Sequence, residues 1–281
     1  MANKQQSYRT IWISDLHLGT RGCKAEMLLD FLRRTRSEKL YLVGDVIDGW
    51  RIRRSPYWSA AQGEVVRNLI KKTREGTHVV YLPGNHDESV RGFLGLQFAG
   101  IDVHEEVVHE TADGKRLLVL HGDQFDSVML SHRWLAFLGD HAYRFALWGN
   151  HWFNVARRTL GYNYWSLSAY LKHKVKNAVD FIFKFEEMLA DHARKSGLDG
   201  VVCGHIHKAE LKEVHGVLYA NDGDWVESCT ALVEHFDGRL EILDWPSLMA
   251  DQLAREQRLS EAEEQDLPAD AASDNELEPS A

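Results

Sequence analysis

Five apolar runs of strand length recur along the chain, and each leads into a short polar cluster. Thr10-Ile11-Trp12-Ile13 precedes Ser14-Asp15-Leu16-His17, and Leu40-Tyr41-Leu42-Val43 precedes Gly44-Asp45-Val46-Ile47-Asp48. Val79-Val80-Tyr81-Leu82 leads to Gly84-Asn85-His86-Asp87, Leu117-Leu118-Val119-Leu120 to His121-Gly122-Asp123, and Gly200-Val201-Val202-Cys203 to Gly204-His205-Ile206-His207. Short apolar runs bounded by glycine and polar residues read as buried strands, and clusters at their ends fall along one rim of a sheet. Residues 24–36 and 59–74 carry amphipathic helical spacing, so 8–125 reads as strand, helix, strand, helix, strand, an α/β layered arrangement.

The pattern changes after His121. Residues 126–195 hold no convincing strand, carry Trp134, Trp148, Trp152 and Trp165, and read as a helical insertion or cap. Gly161-Tyr162-Asn163 divides it, with the second helix over 166–195. Strand patterns return at 200–203, 216–220, 228–236 and 240–243, with Asp237-Gly238 as a hairpin turn, and predict a second, antiparallel sheet. A domain over 8–246 is then followed by a tail, 247–281, helical to about Gln265 and polar and disordered beyond it.

Charge qualifies this picture. The formal net charge of −9 is concentrated in 247–281, where ten acids face only Arg255 and Arg258, leaving a nearly neutral body. The body has no basic stripe with interleaved aromatics, which argues against a nucleic-acid substrate. The first seven residues contain no apolar signal core and no later stretch is long and apolar enough to span a bilayer, so the expected compartment is the cytoplasm. Cys23, Cys203 and Cys229 are widely spaced and form no disulfide or zinc pattern.

The polar clusters carry metal chemistry. Asp15 and His17, two residues apart, can address one ion, and a carboxylate with an imidazole suits Mn, Fe or Zn better than Ca. Asp45, flanked by Gly44, can bridge two cations, and Asn85 adds a neutral amide oxygen. His121, His205 and His207 complete the ligand set. His86 is expected to face the substrate as transition-state stabiliser or leaving-group acid, with Asp87 accepting its other N–H. Asp48 fits either a partner of a ligand or a turn residue. Taken singly each cluster is an ordinary turn; five in order, each after a strand, point to a dinuclear centre.

This array, D-x-H, G-D-x-x-D, G-N-H-D, H and G-H-x-H across residues 14–207, resembles the calcineurin-like metallophosphoesterase superfamily. The resemblance implies a four-layer α/β/β/α sandwich with a helical insertion, and two divalent cations, Mn first and Fe or Zn as alternatives. It places one ion on Asp15, His17, Asp45 and His207, and the second on Asp45, Asn85, His121 and His205. Such ions would polarise phosphoryl oxygens and make hydroxide available near neutral pH.

Ser14 to Gly19, Gly44 to Trp50, His121-Gly122-Asp123, the long insertion and the run Tyr219 to Ser228 are similar to the UDP-2,3-diacylglucosamine diphosphatase-like branch of lipid A synthesis. Gly84-Asn85-His86-Asp87 departs from that branch, which carries Gly-Asn-Arg-Asp. A diacylated sugar nucleotide needs an apolar slot, which Trp148, Trp152, Phe153 and Trp165 can line, and cations for its diphosphate, for which Arg51, Arg157, Lys172 and Lys176 are candidates. Arg51, Arg53 and Arg54 also suit peripheral contact with a membrane surface. Two alternatives stay open: the same chemistry on a soluble phosphodiester, nucleotide or phosphoprotein, and a metal-binding scaffold without turnover.

Overall fold

Side-chain alternation along the strands builds the layers. The computed structural model describes residues 5–125 and 167–265. In it β1 (Gln6–Ile13), β2 (Thr35–Val43) and β3 (His78–Leu82) run parallel. With β4 (Gln97–Phe98), β5 (Ile101–Val103), β11 (Thr230–Glu234) and β12 (Leu240–Asp244) they form a seven-stranded sheet, β12-β11-β1-β2-β3-β5-β4. The second sheet contains β6 (Glu106–Glu110), β7 (Arg116–Leu120), β8 (Gly200–Cys203), β9 (Glu210–Val214) and β10 (Val217–Asn221), in the order β6-β7-β8-β10-β9.

Every second residue of the central strands enters one of two apolar layers. Trp12, Tyr41, Val43, Val80, Leu117, Val119, Val202 and Leu232 fill the space between the sheets. Ile11, Ile13, Leu40 and Leu42 point the other way, onto α1 (Ala25–Arg34) and α3 (Ala60–Arg74), where they meet Leu28, Phe31, Leu32, Val65 and Leu69. On the far side Leu118, Leu120, Val201 and Cys203 pack against Phe185, Leu189, Ala190 and Ala193 of α4 (Leu167–Lys195). The result is a four-layer α/β/β/α sandwich. Trp245 anchors α5 (Trp245–Gln265) to the α1 layer, 1% exposed and edge-on to Phe31.

Three boundaries differ from the sequence expectation. The first helix stops at Arg34, two residues early, because Thr35 already pairs with Gln6 as the start of β2 and its hydroxyl donates to Phe31 O at 2.7 Å. The 230–244 hairpin belongs to the first sheet, since β11 pairs antiparallel with β1 through Thr10–Glu234, Ile11–Val233 and Trp12–Leu232. β1 is buried on both faces, and its open edge is completed by an equally apolar partner. The strands 106–110 and 210–214 went unforeseen: charge-rich, half-exposed edge strands lack a continuous apolar run. Residues 126–166 of the expected insertion and the tail 266–281 lie outside the described residues.

One polar knot ties the sheets. Glu234 Oε1 accepts from Arg9 at 2.6 Å and from Ala112 N at 2.7 Å; its Oε2 accepts from Thr10 Oγ1 at 2.8 Å and lies 2.9 Å from His109 Nε2. Burial opposes the charge on Glu234, but these partners, His109 and Thr10 foremost, hold its pKa down to about 2. A lowered carboxylate pKa stabilises the fold above its unfolded value of 4.5 and loses that contribution as the pH falls through about 2. Glu234→Gln should therefore cost roughly 2–4 kcal/mol at pH 7 by chemical denaturation. The gap between variant and wild type should narrow from pH 4.5 towards pH 2; a gap independent of pH would contradict this account.

Candidate metal centre

The loops that follow β1, β2, β3, β7 and β8 converge on one rim of the sandwich. Backbone bonds fasten them together: Asp15 N donates to Gly44 O at 3.0 Å, His17 N to Asp45 O at 2.9 Å and Gly204 N to His121 O at 3.2 Å. Asp15, His17, Asp45, His205 and His207 all adopt positive φ, between 46° and 72°. This left-handed conformation is costly for residues with a Cβ, and five of the eight such non-glycine residues in the described chain lie here. The backbone is bent to aim side chains inward.

Each carboxylate spends one oxygen on the scaffold and leaves another facing the cluster. Asp15 Oδ2 accepts from Ser14 Oγ at 2.6 Å and from His205 N at 2.9 Å, while Oδ1 is buried without a hydrogen-bond donor. Around Oδ1 stand His207 Nε2 at 3.1 Å and His17 Nε2 at 3.8 Å. Asp45 Oδ1 accepts from His86 N at 2.8 Å, with His121 Nε2 at 3.5 Å. Asp45 Oδ2 lies 3.9 Å from both His17 Nε2 and His86 Nε2.

The histidines are set in the matching way. His121 Nδ1 donates to Val43 O at 2.8 Å, and His17 Nδ1 lies 3.4 Å from Asp48 Oδ2, so both rings turn Nε2 inward. Those Nε2 atoms, together with Asn85 Oδ1, are buried and lack hydrogen-bond partners. Buried polar atoms without partners are costly, and a cluster of them aimed at one point is what a cation site requires. Three groups, Asp15–His17–His207, His17–Asp45–His86 and Asp15–Asp45–His121, each hold ligand atoms within 4.8 Å of one another. The residues present fit divalent cations.

Electrostatics agree. Burial disfavours charge on Asp15 and Asp45, yet His207 and His17 hold Asp15 well below the carboxylate range, and His121 lowers Asp45. In return, Asp15 and Asp48 push His17 up to about 10 against its burial, and Asp45 does the same for His121. The cluster draws in positive charge.

Space is cleared by glycine. A Cβ on Gly84 would stand 2.3 Å from Asp45 Oδ1, and one on Gly44, at φ +81°, 2.2 Å from His121 Nδ1.

Of the residues expected at the centre, Asp15, His17, Asp45, His121 and His207 stand in these groups, and Asn85 Oδ1, next in the chain to His86, is buried and unpartnered. His205 lies beside them, its ring 5.1 Å from that of His121, outside the three groups. Asp87 is elsewhere: it accepts from Val46 N at 2.7 Å, Gly84 N at 2.6 Å and Tyr81 Oη at 2.5 Å, bracing two loops. Asp48 is the carboxylate that lies beside His86, with Oδ2 3.0 Å from Nδ1, and it also caps α2 (Gly49–Arg54) by accepting from Arg51 N. Arg51 is exposed on α2; Arg157 and the side chains of Lys172 and Lys176 lie outside the described residues.

Two contributors were not among the expected site residues. Trp50, 45% exposed, lies against His86 with ring centroids 4.5 Å apart. Arg91 donates to Asp123 at 2.9 Å and to Gly84 O and Pro83 O at 3.3 Å, clamping the Asn85 loop to the His121 loop.

Residues 8–209 match the calcineurin-like phosphoesterases, and the chain belongs to that family. It is a hydrolase acting on phosphoester bonds. No curated protein matches the chain. Solved structures similar to it include YfcE, a phosphoesterase from E. coli, at 16% identity and TM-score 0.41, covering 84% of this chain and 98% of that one. A novel archaeal phosphodiesterase is 15% identical with TM-score 0.40, covering 83% and 98%. Vps29 from Entamoeba histolytica, complexed with zinc, is 14% identical with TM-score 0.40, covering 84% and 98%.

Mn should raise the melting temperature of the metal-free protein, by binding worth about 2.7 kcal/mol at a hundredfold excess over Kd. Gly84→Ala, which drives a methyl group into Asp45, should remove most of that gain in a thermal melt. An undiminished gain would contradict the role assigned to this glycine.

Proposed function

We propose that the chain is a two-cation phosphohydrolase that cleaves the diphosphate of UDP-2,3-diacylglucosamine, or a similar lipid-linked diphosphate, releasing UMP. The observation that carries the metal reading is the set of buried, partnerless ligand atoms on Asp15, His17, Asn85 and His121. One cation would be held by Asp15, His17, Asp45 and His207, and the other by Asp45, Asn85, His121 and His205, with Mn the first candidate metal. Bound there, divalent cations supply Lewis acidity to phosphoryl oxygens and a nucleophilic hydroxide near neutral pH.

The chain's own groups do the rest. His86, with 26% of its side chain exposed, is an accessible imidazole beside the cluster that the ligand assignment leaves uncommitted, and its Nε2 can protonate the leaving oxygen or bind a phosphoryl oxygen. Asp48 lies on its Nδ1 side and Trp50 covers one ring face, which limits its rotation. Gly49 N donates to His86 O at 3.0 Å and joins α2 to that loop. Arg51, Arg53 and Arg54, all exposed on α2, offer cationic charge to phosphates and to an anionic membrane surface. The substrate class is supported by the motif similarity around Asp45 and over Tyr219 to Ser228.

With Mn, purified protein should release UMP from UDP-2,3-diacylglucosamine, and Asp45→Ala should lower kcat by about 10³-fold or more. His86→Ala should lower it by roughly 10²–10⁴-fold while metal binding persists. Turnover of an aryl phosphodiester without UMP release would retain the hydrolase and move its substrate to a soluble phosphoester. Metal binding without turnover of either would leave a scaffold.

A further inference from the structure

Next to Ser14, the neighbour of Asp15, lies a buried carboxyl group with no Lys or Arg partner among the described residues. Asp222 directly follows β10 and is 0% exposed. Its Oδ1 is 2.6 Å from Ser14 Oγ, and its Oδ2 is buried with no hydrogen-bond partner. Among the described residues no Lys or Arg pairs with it. The hydroxyl of Ser14 is at the same time 2.6 Å from Asp15 Oδ2 and 3.0 Å from Gly223 O. We propose that Asp222 is a positioning residue: as a neutral acid it donates to Ser14, which donates to Asp15 and aims that carboxylate at the metal centre.

Proton counting leads to this arrangement. A serine hydroxyl carries one hydrogen, so it satisfies only one of the two carboxylate oxygens at 2.6 Å. The other short contact needs a proton from a carboxyl group. Asp15 stands with His17 and His207 in one candidate ligand group and with Asp45 and His121 in another, and is the group needed there as an anion; the proton is therefore assigned to Asp222 Oδ1. A buried carboxylate with one oxygen unpartnered would be expensive, whereas a neutral acid in that position is much less so. Burial, followed by the charge of Asp15, raises the pKa of Asp222 well above the ordinary range, in the same sense.

The consequence concerns Asp15. Its Oδ2 is held by Ser14 and by His205 N, and its Oδ1 is left directed at His207 and His17. Gly204 permits the approach, because a Cβ there would stand 2.3 Å from Ser14 Oγ. The relay runs from β10 through β1 to a ligand, so the second sheet helps to set the coordination offered by the first.

This inference rests on the metal reading above, and the test separates the two. Mn affinity would be measured by competition titration on the full chain for wild type, Asp222→Asn, Asp222→Ala, Ser14→Ala and the double alanine variant. Asp222→Asn, whose amide still donates to Ser14, should stay within about 3-fold of wild type, while Asp222→Ala and Ser14→Ala should each bind about 10–100-fold more weakly. The double variant should be no worse than the weaker single one, as expected for one shared chain of hydrogen bonds. Infrared difference spectra of wild type against Asp222→Asn should contain a protonated-carboxyl band that shifts in D₂O, a readout that survives even if an alanine variant does not fold. Wild-type affinity in Asp222→Ala, equal damage by Asn and Ala, or absence of the band would overturn the relay alone. Wild-type protein that binds no Mn would overturn the metal reading and the relay with it.

Discussion

Buried negative charge with no lysine or arginine beside it is the constraint on which the rim of this protein depends. Asp15 and Asp45 are 0% and 2% exposed, and no Lys or Arg side chain pairs with either among the described residues. Removing a carboxylate from water costs several kcal/mol unless an opposite charge accompanies it. Imidazoles supply a partial answer, and the unpartnered atoms that remain fit a cation. The fold is therefore organised to meet its own electrostatic demand with a ligand.

Holding such a site open takes strain and support. Five rim positions, Asp15, His17, Asp45, His205 and His207, sit in left-handed backbone conformation, and Gly44 and Gly84 leave room where any side chain would collide with Asp45 or His121. This cost is met by rigid surroundings: strands buried on both faces end just before each loop, and Arg91 and Asp87 bind neighbouring loops together. The apolar interior and the polar rim are thus two halves of one design, the first supplying the stability that the second consumes.

Polar groups are used differently elsewhere in the molecule. Glu234, His109, Tyr41, Thr10 and Arg9 form a satisfied network between the sheets, in which both Glu234 oxygens have donors. At the rim, acceptors are deliberately left over. The contrast distinguishes a structural polar cluster from a binding one: both are buried, but only the second has ligand atoms still unpaired.

The sequence by itself determined the strand–loop rhythm, the helices at 24–36 and 59–74 to within two residues, and the order of clusters that marks the family, because apolar periodicity and ligand residue types are local properties. Arrangement across the sheets was decided only in three dimensions. Whether the 230–244 hairpin joins the first sheet or the second depends on which buried strand has an open edge, and the charged edge strands 106–110 and 210–214 form only because apolar neighbours are already in place. In the same way Asp87, adjacent in sequence to His86, turns towards Tyr81 and Val46, while Asp48, 38 positions before His86, comes to lie beside it. Sequence proximity says which groups are available. Backbone direction at the strand ends decides which of them meet.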